Sequence, residues 1–486
     1  MKHDVKEKVG FGGLTGLIIG GTIGSGIFAL PATLTAGANP EGILIGWTIV
    51  AVGMFSLAGV YRNLTLQQPE IDDGIYGWSK HLFGDLCGFI ANYGHGIGDA
   101  VGNASYLTVI FSAFGGFGLF AFFGNGTTWP AVVAASILLW IVTGFVLRGV
   151  HTSTVMNNIT TIAKVIPISL FIILAILNFS PHTFMAHFNS TQVFNITNQM
   201  WEHVSILDQS KSVLLSAMWT LIGIESGTIF ATRARKLSDV ARATNIGAIF
   251  VIILLVGTSV LSLGLMAPSK ISALHDPSVA GLMAKMVGNW GGWLINACLI
   301  ISVIGALIAW VSLCSEEIRV ASRGGSATKW LNELNQNEAP KNALLITSSL
   351  TQFLMILAGL YSAGYVVLLK FSTSLAVVPY FFTSLYALKS VIKGTGFKGR
   401  SSHERLSSAI VALLSTAFTL FMIFGAGLRY LLLGAIIWMT GFWFYYKGKQ
   451  EKNEKMSRSE WFWWGIIALM AISGIIGLLT GTLNIK

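Results

Sequence analysis

The chain has 486 residues, of which 53% are hydrophobic and only 11% charged, against about a quarter charged in an average soluble protein. With a mean hydropathy of +0.69, it reads as a polytopic membrane protein and not as a soluble domain. The net charge of +10 does not mark a nucleic-acid binder, because Lys and Arg gather in alternate loops between apolar runs, where they report topology.

Apolar runs of about 20 residues, the length that crosses a bilayer, fall near 11–34, 41–61, 82–120, 130–147, 158–178, 212–232, 244–267, 289–314, 342–362, 364–389, 406–426, 428–446 and 461–482. The expected fold is therefore an all-α polytopic membrane protein with about 13 spans, its termini on opposite sides. Lys2, Lys6 and Lys8 precede the first span, Arg233, Arg235, Lys236 and Arg242 follow the sixth, and Lys389, Lys393 and Lys398 follow the tenth. Odd-numbered loops are nearly free of basic residues, which predicts a multi-pass protein of the cell membrane with a cytoplasmic N-terminus. Cys87, Cys298 and Cys314 have no metal-ligand spacing and read as small core residues.

The first span reads GGTIGSGIFALP from Gly20 to Pro31. Each glycine costs about 1 kcal/mol relative to alanine inside a helix, and lipid offers no water to satisfy freed backbone groups. One reading is a break at Ile23 to Ser25 that exposes the amides of Ser25, Gly26 and Ile27, an anion site suited to a substrate carboxylate. The other is that the glycines let helices pack closely.

In the third span Asn92, His95, Asp99, Asn103 and Tyr106 are spaced by three, four, four and three residues, which puts all five on one helical face. Insertion scales charge an aspartate at a helix centre about 2.5–3.5 kcal/mol, so Asp99 needs a cationic partner, water or a proton. Three readings follow. Asp99 pairs structurally with His95 one turn earlier; or it receives the distal cation of a substrate, with His95, Gly98 and Asn103 beside it; or the stripe relays protons.

Lys164 lies six residues into the fifth span and either snorkels to the interface or stays within the membrane. The sixth span is interrupted like the first, with Gly223, Glu225, Ser226 and Gly227 close behind Trp219 and Ile222. Paired interruptions five spans apart point to an inverted-repeat transporter with its site between the breaks. Glu225 either caps its break or acts as a functional intramembrane acid. Trp219 and Trp310 are either ordinary membrane aromatics or cation–π walls. No nucleophile arrangement is present, and the third span lacks a second acid for a metal. An intramembrane enzyme is thus not expected, nor is a metal or cofactor.

Four stretches in order, GSGIF (24–28), TIAKVIP (161–167), WTLIGIES (219–226) and RARKLSDVARAT (233–244), resemble the amino acid, polyamine and organocation transporter superfamily, and within it the basic amino acid/polyamine antiporters. The resemblance implies a 5+5 inverted-repeat core with broken helices 1 and 6. A cytoplasmic segment 1–10 would precede repeats 11–178 and 212–393, joined by an external loop 179–211 and followed by extra helices in 394–486. It implies alternating-access exchange, with Ile23, Gly24, Ser25, Gly26, Ile27 and Ile222 at the substrate, Trp219 as an aromatic wall and Trp310 as a lid. It further implies that Glu225 senses protons or couples the gate, and that Lys164 stands where sodium-coupled relatives hold sodium, hence sodium independence. The expected partners are a small-molecule amino acid, an amine and membrane lipid, with a homo-oligomer left open. Histidine/histamine is the leading expected pair, suited to the polar third span; arginine/ornithine, agmatine/putrescine and a proton-coupled permease are the alternatives.

Overall fold

A computed structural model describes residues 10–71, 73–149, 154–196, 198–223, 237–362 and 364–483. Expectations placed on Lys2, Lys6, Lys8, Glu225, Ser226, Gly227 and residues 233–236 lie outside the described residues. The described chain is helical apart from its connections and one two-stranded hairpin, Gln192–Asn195 with Met200–His203, which falls in the loop 179–211.

In chain order the helices are α1 (Phe11–Thr22), α2 (Gly26–Thr35), α3 (Pro40–Gln67), α4 (Gly74–Phe83), α5 (Asp85–Gly115), α6 (Trp129–Leu147), α7 (Thr154–Leu177), α8 (Pro181–Ala186), α9 (Ile206–Trp219) and α10 (Leu237–Ser262). Then follow α11 (Pro268–Ser272), α12 (Ser278–Val287), α13 (Asn289–Arg323), α14 (Lys341–Tyr361), α15 (Tyr365–Lys393), α16 (Ser402–Thr440), α17 (Phe442–Glu451) and α18 (Arg458–Leu479). Among the described residues nine helices are long and apolar enough to cross a membrane, or ten when the bent pair α1 and α2 counts as one span. The other expected spans have identifiable fates. The third, α5, is long but polar; the sixth runs from α9 into undescribed residues; the eleventh and twelfth share α16, whose one non-helical residue, Gly427 at φ 78°, falls at their expected boundary.

The chain forms two compact units, each drawn from separated stretches: Met1–Leu66 with Ser153–Ala306, and Gln67–Thr152 with Leu307–Lys486. Each unit takes helices from both halves of the chain.

The first unit is built on the broken span. α1 ends at Ile23, whose extended backbone (ψ 104°) leaves the helix, and α2 restarts at Gly26, bent by 43° from α1. α1 packs on α7 and α10, while α2 packs on α9 and α10. Elsewhere in the unit the Trp47 indole donates to Ser259 Oγ at 2.8 Å, joining α3 to α10 without leaving a buried donor unmet.

The second unit centres on α5, which is buried without interruption from Cys87 to Ala113. Its small residues leave backbone carbonyls open to neighbours, and three helices use them. Cys314 Sγ on α13 donates to Gly96 O at 2.8 Å, Ser372 Oγ on α15 to Gly98 O at 2.6 Å, and Thr351 Oγ1 on α14 to Ala100 O at 3.0 Å. Small residues and short polar side chains joining helices in this way are the usual glue of membrane bundles. The C-terminal helices are tied in by charge: Lys449 Nζ meets Asp85 and Glu454, each at 3.1 Å, and Glu460 at 3.4 Å.

Candidate functional site

Two groups of the expected residues come together, one in each unit. In the first unit it is the break. Ile23, Ser25, Gly26 and Ile27 are all buried, Gly24 is half-buried, and the N-cap residue supplies no side-chain cap to the start of α2. The first-turn amides of α2 thus form a helix terminus of the kind that attracts anions.

Trp219, buried at the end of α9, lies against that break, and Ile222 is buried in the turn beyond it. A Cβ on Gly26 would run into Thr220 Cγ2 and come within 3.3 Å of Trp219 Cδ1. Gly223 carries φ 100°, and a Cβ there would come within 2.9 Å of Gly21 O, so a side chain is refused both by conformation and by contact. The span breaks at Ile23 to Ser25, and glycines on either side of the break let it meet α7 and α9 closely.

Lys164 settles on one of its two readings. It is 2% exposed, and its Nζ donates to Gly20 O at 2.9 Å, in the last turns of α1 before the break. It does not snorkel. A buried ammonium satisfied by a helix-end carbonyl pins α7 to the broken span, where the carbonyl ends of helices favour cations.

In the second unit the polar stripe of α5 is buried along its whole length: Asn92, His95, Asp99, Asn103 and Tyr106 are each less than a tenth exposed. His95 Nδ1 lies 2.9 Å from Glu317 Oε2 and 3.7 Å from Asp99 Oδ2, and Tyr380 meets the imidazole edge-on with ring centroids 5.7 Å apart. Asn92 Nδ2 donates to the backbone carbonyl of Glu317. Asn103 Oδ1 is buried without a hydrogen-bond partner among the described residues. Gly98 faces α15, where a Cβ would come within 3.1 Å of Leu375 Cβ. Trp310 lies half-buried midway along α13.

Glu317 is the residue that sequence reasoning missed. On α5 the second acid, Asp85, is taken up by Lys80 and Lys449 and the polar stripe itself holds Asp99 alone, but α13 supplies another acid to it. His95, Asp99 and Glu317 offer ligand atoms within 4.8 Å of one another, a donor set that divalent metals accept. The 2.9 Å contact shows the closest pair of these atoms engaged with each other as a hydrogen bond.

Chemically, the break offers amides to a carboxylate, and the trio offers two carboxylates and an imidazole to a cation. The comparisons agree with a transporter. Residues 9–429 match the amino acid permease family. The chain is similar to an arginine/ornithine antiporter of Pseudomonas aeruginosa, 36% identical with 99% of this chain and 97% of the relative aligned. It is also similar to an L-lysine transport protein of Corynebacterium glutamicum, at 32% identity over 97% and 95% of the two chains. An arginine/ornithine antiporter of Latilactobacillus sakei is 30% identical over 99% and 98%.

Proposed function

Because the chain belongs to the amino acid permease family, a branch of the amino acid, polyamine and organocation transporters, and is thus a multi-pass membrane transporter and not an enzyme, we propose that it exchanges cationic amino acids, arginine against ornithine, by alternating access. One observation carries the reading: Asp99 and Glu317 converge on a single imidazole inside the bundle. Two carboxyl groups gathered at one imidazole within a membrane bundle call for a cation, and a substrate guanidinium or ammonium would supply it.

Arginine and ornithine share an α-carboxylate and an α-ammonium and both end in a cation, so a group that accepts one of these features accepts it from either substrate. The amides at Ser25 to Ile27 take the carboxylate, with Ile23, Gly24 and Ile222 shaping the backbone clamp. Trp219 is the aromatic wall, Trp310 the lid, and Asn103 and Gly98 flank Asp99. Lys164 fills the place of a sodium ion, so exchange is sodium-independent, and Glu225 acts as the proton-sensing acid. The fold is a pair of inverted repeats, 11–178 and 212–393, in the cell membrane with the N-terminus cytoplasmic. Histidine/histamine gives way as the leading pair, since the relatives above are named for arginine, ornithine and lysine. Agmatine/putrescine would leave the break amides without a carboxylate.

The test is uptake of labelled arginine into proteoliposomes loaded with ornithine, lysine, histamine or nothing. Rapid uptake only against an internal cationic amino acid, with or without sodium, is the expected result. Uptake into empty vesicles driven by a pH gradient would make the protein a proton-coupled permease instead.

A further inference from the structure

We propose that Lys370 and Arg429, in the second unit, form a binding site for a phosphate-type oxyanion. Lys370 lies in the second turn of α15, and Arg429 follows the Gly427 interruption of α16 by two residues. The two helices pack together, and the residues that follow the two cations, Phe371 and Tyr430, meet across that seam. Next to them, the rings of Phe371 and Tyr430 stack with centroids 6.5 Å apart, and Arg429 Cζ lies 5.3 Å from the centroid of Tyr430.

What makes this pair unusual is the missing acid. Arg429 Nε is sealed from solvent with no hydrogen-bond acceptor, and among the described residues no carboxylate or carbonyl meets either cation. Lys370 and Arg429 are half-buried, whereas the buried cations Lys164 and Lys449 are met, Lys164 by the Gly20 carbonyl and Lys449 by Asp85, Glu454 and Glu460. Two like charges held together in a bundle, one with a buried unmet donor, are costly alone and are relieved by a shared anion. A guanidinium beside an ammonium suits an oxyanion, which takes several charge-assisted hydrogen bonds at once.

The pair also stands apart from the basic residues that set topology. Lys370 lies 23 residues before Lys393 on α15, roughly 35 Å along the helix at 1.5 Å per residue. It therefore occupies the end of the helix opposite Lys389, Lys393 and Arg405. Phosphate chemistry at that end has two sources, the headgroup of an anionic phospholipid in that leaflet or a free phosphate from the water. The adjoining aromatic pair sits as interfacial aromatics do.

The test uses the purified full-length protein and two probes. Phosphatidylglycerol against phosphatidylcholine, read by native mass spectrometry, reports the lipid; inorganic phosphate, read by thermal melting, reports the free anion. Two basic side chains predict a preference of about 30-fold for the anionic lipid, lost in Arg429→Gln and in Lys370→Gln and largely kept in Arg429→Lys. Stabilisation by inorganic phosphate with the same pattern of losses, and no lipid preference, would support the site with a free anion as its ligand. If neither probe separates the wild type from the Gln variants, the proposal is overturned. Should Arg429→Gln fail to fold, Lys370→Gln and Arg429→Lys carry the same comparison.

Discussion

His95 Nδ1 on α5 lies 2.9 Å from Glu317 Oε2 on α13, while Asp99 Oδ2, on its own helix, is 3.7 Å away. One imidazole thus stands beside two acids, hydrogen-bonded to Glu317 and one turn from Asp99. Replacing Glu317 with Gln removes one charge and keeps the shape, so we expect arginine affinity in exchange assays to fall about tenfold, the scale of one charge-assisted contact. Unchanged affinity would mark Glu317 as a structural partner of His95 alone.

Gly26→Ala tests the broken span. Its Cβ would meet Thr220 Cγ2, and overpacking of this kind costs about 1–3 kcal/mol. We expect a lower melting temperature and loss of exchange. Adding Thr220→Ser deletes the clashing methyl and leaves Trp219 Cδ1 at 3.3 Å as the nearest contact; the double variant should recover most of both. If it recovers neither, the closeness of α2 to α9 is not what demands glycine.

Lys164→Met keeps the length of the side chain but leaves Gly20 O without its donor. A buried hydrogen bond to a charged group contributes about 1.5–3 kcal/mol, so exchange and thermal stability should both fall, with Lys164→Gln intermediate because it retains a donor. A fully active Met variant would separate Lys164 from the function of the break.

A pH effect is expected outside the membrane helices, in the connection between α11 and α12. Burial pushes the Asp276 carboxyl up to about 7. A carboxyl whose pKa is raised on folding binds its proton more tightly in the folded state, so its contribution to stability is lost as pH climbs from the ordinary carboxylate range through 7. Asp276→Asn should therefore raise the melting temperature by several °C at pH 8 and leave it unchanged at pH 3. An equal gain at both values would contradict the assignment.

Much of this was legible because the signals are local. The stripe on α5 needed only the helical repeat, and the break needed only the crowding of glycines from Gly20 to Gly26; both emerge as buried and closely packed. Glu317 was not legible. It is 222 residues from His95, it follows the apolar part of its span, and it sits in SEEIR, beside Arg319 at the charged end of the eighth apolar run. Nor could the sequence say which neighbour forbids a side chain at Gly26, since Thr220 is brought there only by the packing of α2 on α9. Gly98 shows the converse: its position beside Asp99 suggested a substrate contact, and its small size is used against Leu375.

The central claim is that buried carboxylates select a cationic side chain, and the most direct measurement is competition of labelled arginine uptake by citrulline, the neutral isostere of arginine, in ornithine-loaded proteoliposomes. Loss of a hydrogen bond to a charged group predicts that the wild type prefers arginine by about 10–100-fold, and that Asp99→Asn narrows this toward parity. A preference for arginine that survives undiminished in both Asp99→Asn and Glu317→Gln would contradict the account.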